Sequence, residues 1–307
     1  MIESSQITAV APPLEPTRGR PSRSFWWQSW EELRANRVAM AAGAVLLFMV
    51  LVALAAPLIS HFATHYDPVQ QDLNSPFAGP GRGHLLGTDE LGRDTLTRLV
   101  WGSRISLGIG FLTVGIALTV GSAVGLLAGY YGGWVDEVLM RVVDVVLAIP
   151  PIFLYILMSI LFRPNVLTLS VIIASVGWAT LSRLVRSEVL SLRTRDFMLA
   201  TRSLGARDVR LIIRHLLPNV LPLMIVAASL ALGQVILIEA ALDFLGLGIQ
   251  PPTASWGNML VNAPVYFVHS TWLVVLPGLC IFLAVLAANL FGSALRDAFD
   301  PRLKGVR

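Results

Sequence analysis

Long apolar stretches alternate with short polar segments along the chain. Each stretch approaches the roughly 20 residues that a helix needs to cross the hydrocarbon core of a bilayer. Their length favours membrane helices over buried strands. The pattern therefore predicts an all-α integral membrane protein with six transmembrane helices, at about residues 38 to 60, 105 to 130, 139 to 162, 165 to 182, 219 to 242 and 272 to 293.

The composition supports this class. Hydrophobic residues make up 55% of the chain, charged residues only 14%, and the mean hydropathy is +0.70. A soluble domain is less apolar and more charged. The net charge of +4 and the pI of about 9.7 do not indicate a nucleic-acid partner, because the basic residues lie in short segments between spans.

The positions of Lys and Arg predict the orientation. With the N-terminus inside, most of the 23 Lys and Arg residues fall in cytoplasmic segments, so both termini are predicted to be cytoplasmic. The predicted organisation is a cytoplasmic tail, a first span, an external loop with an amphipathic helix, a transmembrane core and a second cytoplasmic tail, at residues 1 to 37, 38 to 60, 61 to 103, 104 to 295 and 296 to 307.

The first part of the N-terminal tail predicts disorder. Residues 1 to 24 are rich in Pro, Ser and Arg and lack apolar periodicity. Trp26, Trp27 and Trp30 follow, and aromatic residues of this kind anchor interfacial helices in membrane lipid.

Residues 183 to 217 form a strongly basic segment between two spans. An amphipathic helix is predicted at its end by apolar residues at helical spacing, namely Val209, Ile212, Ile213 and Leu216. Gly205 interrupts the helical pattern and predicts a bend, and Pro218 marks the start of the next span. The segment thus reads as two short helices that meet at Gly205.

Three functions compete for this segment. It can contact anionic lipid head groups, act as a voltage sensor or dock a soluble partner. Asp208 among the arginines, and the polarity of the stretch, argue against a voltage sensor. The motif described next favours docking.

The stretch LATRSLGARDVRLIIRHLLP (199 to 218) resembles the cytoplasmic signature of bacterial ABC importer permeases, in which an EAA triplet, a glycine and a Leu-Pro pair follow at fixed spacing. The residues at the expected positions are Ala200, Gly205, Leu217 and Pro218. The departures are Leu199, Thr201 and His215, which stand where Glu, Ala and an apolar residue are common.

Three further blocks extend the resemblance over nearly the whole chain after the tail. They are HLLGTDELGRDTLTRLVWGSRISLGIG (84 to 110), ALDFLGLGIQPPTASWGNML (241 to 260) and LFGSALRDAFDPRLKG (290 to 305). Together they resemble the second permease subunit of the dipeptide, oligopeptide and nickel importer family.

The resemblance implies a type I ABC importer permease fold in the bacterial cytoplasmic (inner) membrane. It implies a homologous second permease, one or two cytoplasmic P-loop ATPases that bind ATP and Mg, and an extracytoplasmic binding protein that selects the cargo. Peptide is the expected cargo, with nickel, glutathione-like and opine-like solutes as alternatives. The implied ATPase-coupling residues are Asp196, Ala200, Thr201, Arg202, Gly205, Ala206, Leu217 and Pro218.

This chain is not expected to bind ATP or another cofactor. A P-loop needs a lysine after a glycine loop, whereas the sole lysine is Lys304 near the C-terminus. Cys280 is the single cysteine, which excludes a disulfide within the chain, and no metal site is predicted.

Polar and helix-breaking residues within the spans are candidates for the translocation path. Asp144 is one, with a local pair to Arg141 as the alternative role. Pro150 and Pro151 are predicted to kink the third span.

Two acidic groups are predicted near the outer face. Glu239 and Asp243 can contact the binding protein or a substrate amine, or cap helix ends. In the external loop, Thr88 is the predicted N-cap of a helix with a solvated charged face, formed by Asp89, Glu90, Arg93, Asp94 and Arg98. The resemblance adds an alternative, in which this helix packs against the partner permease or the binding protein.

Other function classes fit less well. The five histidines show no HExxH spacing, and no GxSxG nucleophile motif occurs, so an enzyme is disfavoured. An ion channel or secondary transporter is the alternative, but the nearly uncharged spans lack groups for ion coupling.

Overall fold

The computed structural model describes residues 25 to 299. This part of the chain forms twelve α-helices: α1 (Phe25–Ala35), α2 (Arg37–Leu54), α3 (Ala56–Ile59), α4 (Thr95–Tyr131), α5 (Gly133–Ala148), α6 (Pro151–Leu161), α7 (Val166–Leu192), α8 (Asp196–Ser203), α9 (Asp208–Leu211), α10 (Leu217–Phe244), α11 (Ala263–His269) and α12 (Trp272–Phe299). Short π-helical turns follow α3 and α9, and a 3₁₀ turn precedes α11.

The all-α prediction with six apolar stretches is confirmed. Among the described residues, α2, α4, α7, α12 and the continuous stretch Asp208–Phe244 are each long and apolar enough to cross a membrane. The remaining stretch, third along the chain, consists of α5 and α6, whose axes are bent by 83° at the break between them.

The prediction of a kinked third span understates this break. Pro150 has an extended backbone and Pro151 starts a new helix, so the chain contains two short helices instead of one bent span. Proline lacks the N–H that would continue the helical ladder and disfavours helical geometry in the residue before it, and two in succession stop the helix.

A stripe of glycines fixes the main helix pair, α4 and α7. Gly121, Gly125 and Gly129 lie four residues apart on α4 and face the backbone of α7. A Cβ added at Gly125 would lie 2.6 Å from the carbonyl oxygen of Ser182. Small residues at this spacing let two membrane helices approach until their backbones touch, which gains dispersion contacts along the whole pair.

The helices define two ends of the bundle. We call the end that carries α8 and α9 the arginine-rich end, and the end that carries residues 65 to 94 and 245 to 262 the loop end. One apolar cluster fills the centre of the bundle, around Ile109, Ile173 and Ile236. A separate cluster, the elbow cluster, lies at the arginine-rich end and contains Tyr130, Val185, Val189, Leu192, Met198, Leu211 and Leu216.

The prediction of a solvated amphipathic helix in the loop 61 to 103 is wrong. Helix α4 begins only at Thr95, because the carboxylate of Asp94 accepts the Thr97 N–H at 2.8 Å and caps the helix there. Thr88 is not the cap: its hydroxyl accepts from Ala78 N and donates to the Ser75 carbonyl within the loop.

The predictions for the two termini concern residues that the structure does not describe. The predicted disordered stretch 1 to 24 and residues 300 to 307 of the C-terminal tail lie outside the described residues.

Candidate functional site

The arginine-rich end carries an exposed helical elbow made of α8, Gly205 and α9. Of the side chains of α8, Met198 is the buried one, with 4% exposure, and it inserts into the elbow cluster. Phe197, Leu199 and Leu204 are exposed, Leu204 at 88%. A single apolar anchor therefore holds a helix whose remaining surface, apolar in part, is open.

A Schellman motif ends α8 at Gly205. The Gly205 N–H donates to the Arg202 carbonyl at 2.9 Å, and the Ala206 N–H donates to the Thr201 carbonyl at 3.4 Å. Gly205 has φ +79°, a left-handed conformation that favours glycine because other residues place a Cβ too close to the backbone. The bend predicted at this glycine is confirmed.

The coupling residues implied by the motif lie on this elbow. Asp196 occupies the first turn of α8, where a negative charge complements the helix dipole. Ala200 and Arg202 are exposed, and Thr201 and Ala206 are half-buried. The Thr201 hydroxyl donates to the Phe197 carbonyl, so it stabilises α8 locally.

The apolar face predicted for the helix after Gly205 is wrong in part. Leu211 and Leu216 are fully buried, whereas Val209 and Ile213 are exposed. Residues Ile212–Leu216 form a π-helical turn, in which hydrogen bonds join residues five apart, so the turn is wider and shifts which side chains share a face.

This π-helical turn also accommodates Pro218. Helix α10 begins at Leu217 with the proline in its first turn, and the helical path from α9 into α10 is continuous. Local π-helical adjustment is one way in which a membrane helix tolerates a proline, since the ring removes an N–H from the ladder.

The arginines of the elbow fall into two groups. Arg193 faces inwards and donates to the carbonyl oxygens of Gly129 and Tyr130 at 3.1 and 3.3 Å. The others have exposed side chains and give this end its positive surface: Arg195, Arg202, Arg207, Arg210 and Arg214.

The acid on the third span pairs with a different partner from the predicted one. The carboxylate of Asp144 accepts from Arg183 of α7 at 2.5 Å, and both side chains are about half exposed. The local pairing with Arg141 is therefore wrong, because packing brings α7 against α5. A second bridge joins the same helices, from Arg186 to Asp136.

Pro150 and Pro151 lie at the break between α5 and α6 and are both exposed. Asp144 lies one helical turn before this break. The three residues proposed for the translocation path are therefore close in sequence and all accessible from outside this chain.

Glu239 and Asp243 are inside the molecule, so their predicted contact with a binding protein or substrate amine is wrong for this structure. Both side chains are buried, with 0% and 1% exposure. Asp243 accepts from the Ile249 N–H at 2.6 Å and from the Ser255 hydroxyl, and Glu239 accepts from the Ser106 hydroxyl at 3.0 Å. Asp243 thus caps the turn after α10, which agrees with the alternative role.

The charged residues of the loop 61 to 103 form a buried network. One oxygen of Asp89 accepts from Arg93 Nε at 2.6 Å, and Arg98 Nε lies 3.4 Å from the same oxygen. Its other oxygen accepts the Arg93 N–H. All three side chains are buried, so each charge depends on the others for compensation.

Glu90 extends the network to α11. It accepts from the Tyr266 hydroxyl at 2.6 Å and from the Asn262 amide at 3.0 Å. Burial, and then the hydrogen bond to Glu90, raise the pKa of Tyr266 above its ordinary value, so the phenol is protonated at neutral pH and donates. This network joins the loop before α4 to α11.

Asp89→Ala is expected to destabilise the protein by about 3 kcal/mol, because it removes the carboxylate that lies closest to two buried guanidinium groups. Thermal unfolding in detergent measures the effect. The control is Asp67→Ala, which removes an exposed hydrogen bond to the Val69 N–H. Equal melting temperatures for the two variants would show that the buried network contributes little.

Among residues 25 to 299, no group of three or more His, Cys, Asp or Glu side chains is arranged to hold a metal ion. The features that stand out are therefore structural ones, namely the exposed elbow and the broken span.

A polytopic helical membrane protein with an exposed arginine-rich elbow between two spans is the class that this fold defines. The chain belongs to the family described as binding-protein-dependent transport system inner membrane component, whose sequence profile matches residues 121 to 305. Residues 24 to 80 match a second profile, the N-terminal TM domain of oligopeptide transport permease C.

Similar proteins cover nearly the whole chain. The dipeptide transport system permease protein DppC of Alkalihalophilus pseudofirmus is 38% identical over 299 residues, which are 97% of this chain and 93% of that protein. The di/tripeptide permease DppC of Pseudomonas aeruginosa is 41% identical over 303 residues, 96% and 98% of the two chains. The glutathione permease GsiD of Pectobacterium atrosepticum is 38% identical over 297 residues, 96% and 97%.

The fold is also that of a solved transporter. A chain of the MetNI methionine ABC transporter, in a structure described as inward facing, superposes with a TM-score of 0.51 at 19% identity. The match covers 65% of this chain and 97% of that chain, and at this identity it shows the fold alone.

The chain is therefore a multi-pass ABC importer permease of the inner membrane, as the sequence motifs predicted. The signal that located the elbow was the glycine and Leu-Pro spacing. Two structural features were missed, the glycine stripe on α4 and the buried charge network. The four-residue spacing of the glycines is visible in the sequence and would have indicated the first.

Proposed function

We propose that this chain is the membrane-spanning subunit of an ATP-driven importer that moves peptides delivered by an extracytoplasmic binding protein. In this proposal the arginine-rich end and both termini are cytoplasmic, which agrees with the excess of Lys and Arg on that side. The loop end then faces outwards, towards the binding protein.

The exposed elbow carries the proposal. Helix α8 has one buried anchor, Met198, while Phe197, Leu199 and Leu204 leave apolar surface uncovered beside exposed arginines. An apolar strip with a charged rim is typical of a protein docking surface. We assign it to a cytoplasmic P-loop ATPase, which binds ATP and Mg in place of this chain.

Closure of the ATPase pair would move the elbow and, through it, the spans to which the elbow is joined. Such rigid-body motion of packed helices is a common form of switching. A homologous second permease completes the membrane part, and substrate-loaded binding protein must favour one state over the other to stimulate transport.

We assign peptides as the cargo because the three relatives described above are named for dipeptide, di/tripeptide and glutathione transport. Nickel remains the alternative. Uptake of a radiolabelled dipeptide and of radiolabelled nickel by cells with and without this gene distinguishes the two.

The break between α5 and α6 is our candidate for the translocation path. Backbone groups released at Pro150 and Pro151 need water or a neighbouring chain as hydrogen-bond partners inside a membrane. The half-exposed pair of Asp144 and Arg183 likewise favours a wet or protein-covered surface over lipid.

Cross-linking tests the docking assignment. In a Cys280→Ala background, Leu199→Cys places a thiol on the exposed face of α8, and Leu73→Cys places one at the loop end. We expect a bifunctional maleimide to join Leu199→Cys, but not Leu73→Cys, to a co-purifying P-loop ATPase identified by mass spectrometry.

Two results would contradict the assignment. If the ATPase co-purifies and Leu199→Cys gives no cross-link to it, the ATPase docks elsewhere. If this chain is recovered alone, and purified protein conducts ions in vesicles, a channel is the better description. Vanadate inhibition of uptake, with uptake maintained after ion gradients collapse, separates the importer from a secondary transporter.

A further inference from the structure

Tyr130, one residue before the end of α4, contacts both helices of the elbow. Its hydroxyl donates to Asp208 Oδ1 of α9 at 2.5 Å. The guanidinium of Arg202, on α8, lies 5.7 Å from the centre of the Tyr130 ring, within the range of a cation–π interaction. One side chain therefore links α4 to both sides of the bend at Gly205.

A backbone contact reinforces this link. Arg193, at the start of the connection into α8, donates through one nitrogen to the carbonyl oxygens of Gly129 and Tyr130. Carbonyl groups at the C-terminal end of a helix lack partners in the helix itself, so the guanidinium satisfies them. Gly132 has φ +66°, a backbone conformation that favours glycine, and it lies directly beside the Arg193 guanidinium.

The link is placed where the chain is otherwise easy to bend. The elbow has a glycine at its corner and a single buried side chain along α8. An elbow pushed from outside can therefore bend at Gly205 without moving the spans. Bonds from the elbow to α4 oppose this bending, because they fix α8 and α9 to the same helix end.

Helix α4 is well placed to receive the motion. It runs from the arginine-rich end to the loop end, and the glycine stripe packs the part of α4 nearest the arginine-rich end against α7. A displacement of its end at Tyr130 would thus move a rigid pair of helices. Its other end lies in the buried charge network of the loop end.

We propose that Tyr130 is a positioning residue that ties the elbow to α4, so that movement imposed on α8 reaches the spans. This inference rests on the proposed docking of an ATPase at the elbow. It assigns the coupling of ATP hydrolysis to transport to a hydroxyl group that does not touch ATP, cargo or the ATPase.

The test uses the complete complex, reconstituted in vesicles with its binding protein, a radiolabelled dipeptide as cargo and ATP. Tyr130→Phe removes one oxygen and keeps the ring. We expect uptake per ATP hydrolysed to fall about tenfold, the scale of a lost hydrogen bond to a charged group, while complex assembly and ATP hydrolysis persist. Asp208→Asn should lower the same ratio, and the double variant should be no worse than the lower single variant.

Tyr131→Phe is the matched control, since Tyr131 is the neighbouring tyrosine and is half exposed. It should leave the ratio unchanged. Spin labels at Leu127→Cys on α4 and Leu199→Cys on α8, in a Cys280→Ala background, give a readout that does not depend on cargo. With intact Tyr130, the distribution of distances between the two labels should stay narrow after vanadate trapping. With Tyr130→Phe, this distribution should broaden.

If Tyr130→Phe leaves uptake per ATP hydrolysed unchanged and the distance distribution narrow, the inference is overturned. A lower yield with uptake and hydrolysis reduced in proportion would also overturn it, because that outcome describes a purely structural tyrosine. Failure of the proposed function is distinguishable: the unmodified chain would then bind no ATPase, or the complex would hydrolyse ATP without taking up the dipeptide, before any variant is made.

Discussion

Gly205→Asp is expected to abolish uptake while the chain still inserts in the membrane and stays folded. A Cβ at Gly205 would meet no atom within 4 Å, so the substitution creates no clash within the chain. The left-handed backbone costs a non-glycine residue about 1 to 2 kcal/mol, and aspartate is among the residues that tolerate it best. We expect the larger effect at the proposed ATPase interface, where a side chain and a negative charge would enter.

Gly246→Asp is a matched control at the other end of the bundle. Gly246 follows α10 with φ +73°, and the space that a Cβ would occupy there is open. Its N–H donates to the Asp243 carbonyl at 2.9 Å, as the Gly205 N–H does to that of Arg202. Both variants therefore carry the same backbone strain.

Initial rates of dipeptide uptake, normalised to the amount of permease in the membrane, measure the difference. We expect at least a tenfold lower rate for Gly205→Asp than for Gly246→Asp, which corresponds to about 1.4 kcal/mol or more of lost coupling. Equal losses would attribute the effect to backbone strain, and unimpaired uptake in Gly205→Asp would count against docking at the elbow.

Gly125→Leu is expected to destabilise the protein strongly. A Cβ at this position would lie 2.6 Å from the Ser182 carbonyl oxygen and 2.7 Å from Val185 Cβ, so α4 and α7 must separate. Overpacking of a close interface costs about 3 kcal/mol or more when backbone has to move. Separation would also remove the dispersion contacts on which membrane helix association depends.

Gly115→Leu supplies the control on the same helix. Nothing lies within 4 Å of a Cβ at Gly115, and leucine favours the helical backbone over glycine by about 0.8 kcal/mol. Thermal unfolding in detergent, followed by the monodisperse fraction, should place Gly125→Leu far below the unmodified chain and Gly115→Leu at or above it. Similar melting temperatures for both variants would show that α4 and α7 repack without cost.

Local features of the elbow were predictable because they depend on few neighbouring residues. Gly205 and the Leu-Pro pair at 217 and 218 fix the corner and the start of α10 through backbone sterics alone. The apolar spacing between Gly205 and Leu217 predicted the wrong buried face, since a π-helical turn changes which residues share a face. That turn depends on how α9 enters α10, which the apolar spacing does not report.

Charges were the least predictable feature. The sequence predicted that Asp89 and Arg98 lie on a solvated helix face, yet they are buried together. Asp144 pairs with Arg183 on another helix instead of with the predicted Arg141. A charge in the sequence gives no sign of whether distant segments will enclose it. The burial that makes such pairs strong comes from segments far away in the chain, even where the partners are close in sequence, so it is decided only on folding.

By itself the sequence determined that the chain has six apolar stretches of a length that suits a membrane, where the elbow bends, and to which transporter family it belongs. These properties follow from hydrophobic length, backbone freedom at a glycine and fixed motif spacing. The tertiary structure alone decided that the third stretch is two helices bent by 83°, that Glu239 and Asp243 are inside, and that Tyr130 reaches Asp208. The last two depend on contacts between segments far apart in sequence, where packing and desolvation override local preference. The break itself is local to Pro150 and Pro151, and only its angle is set by packing.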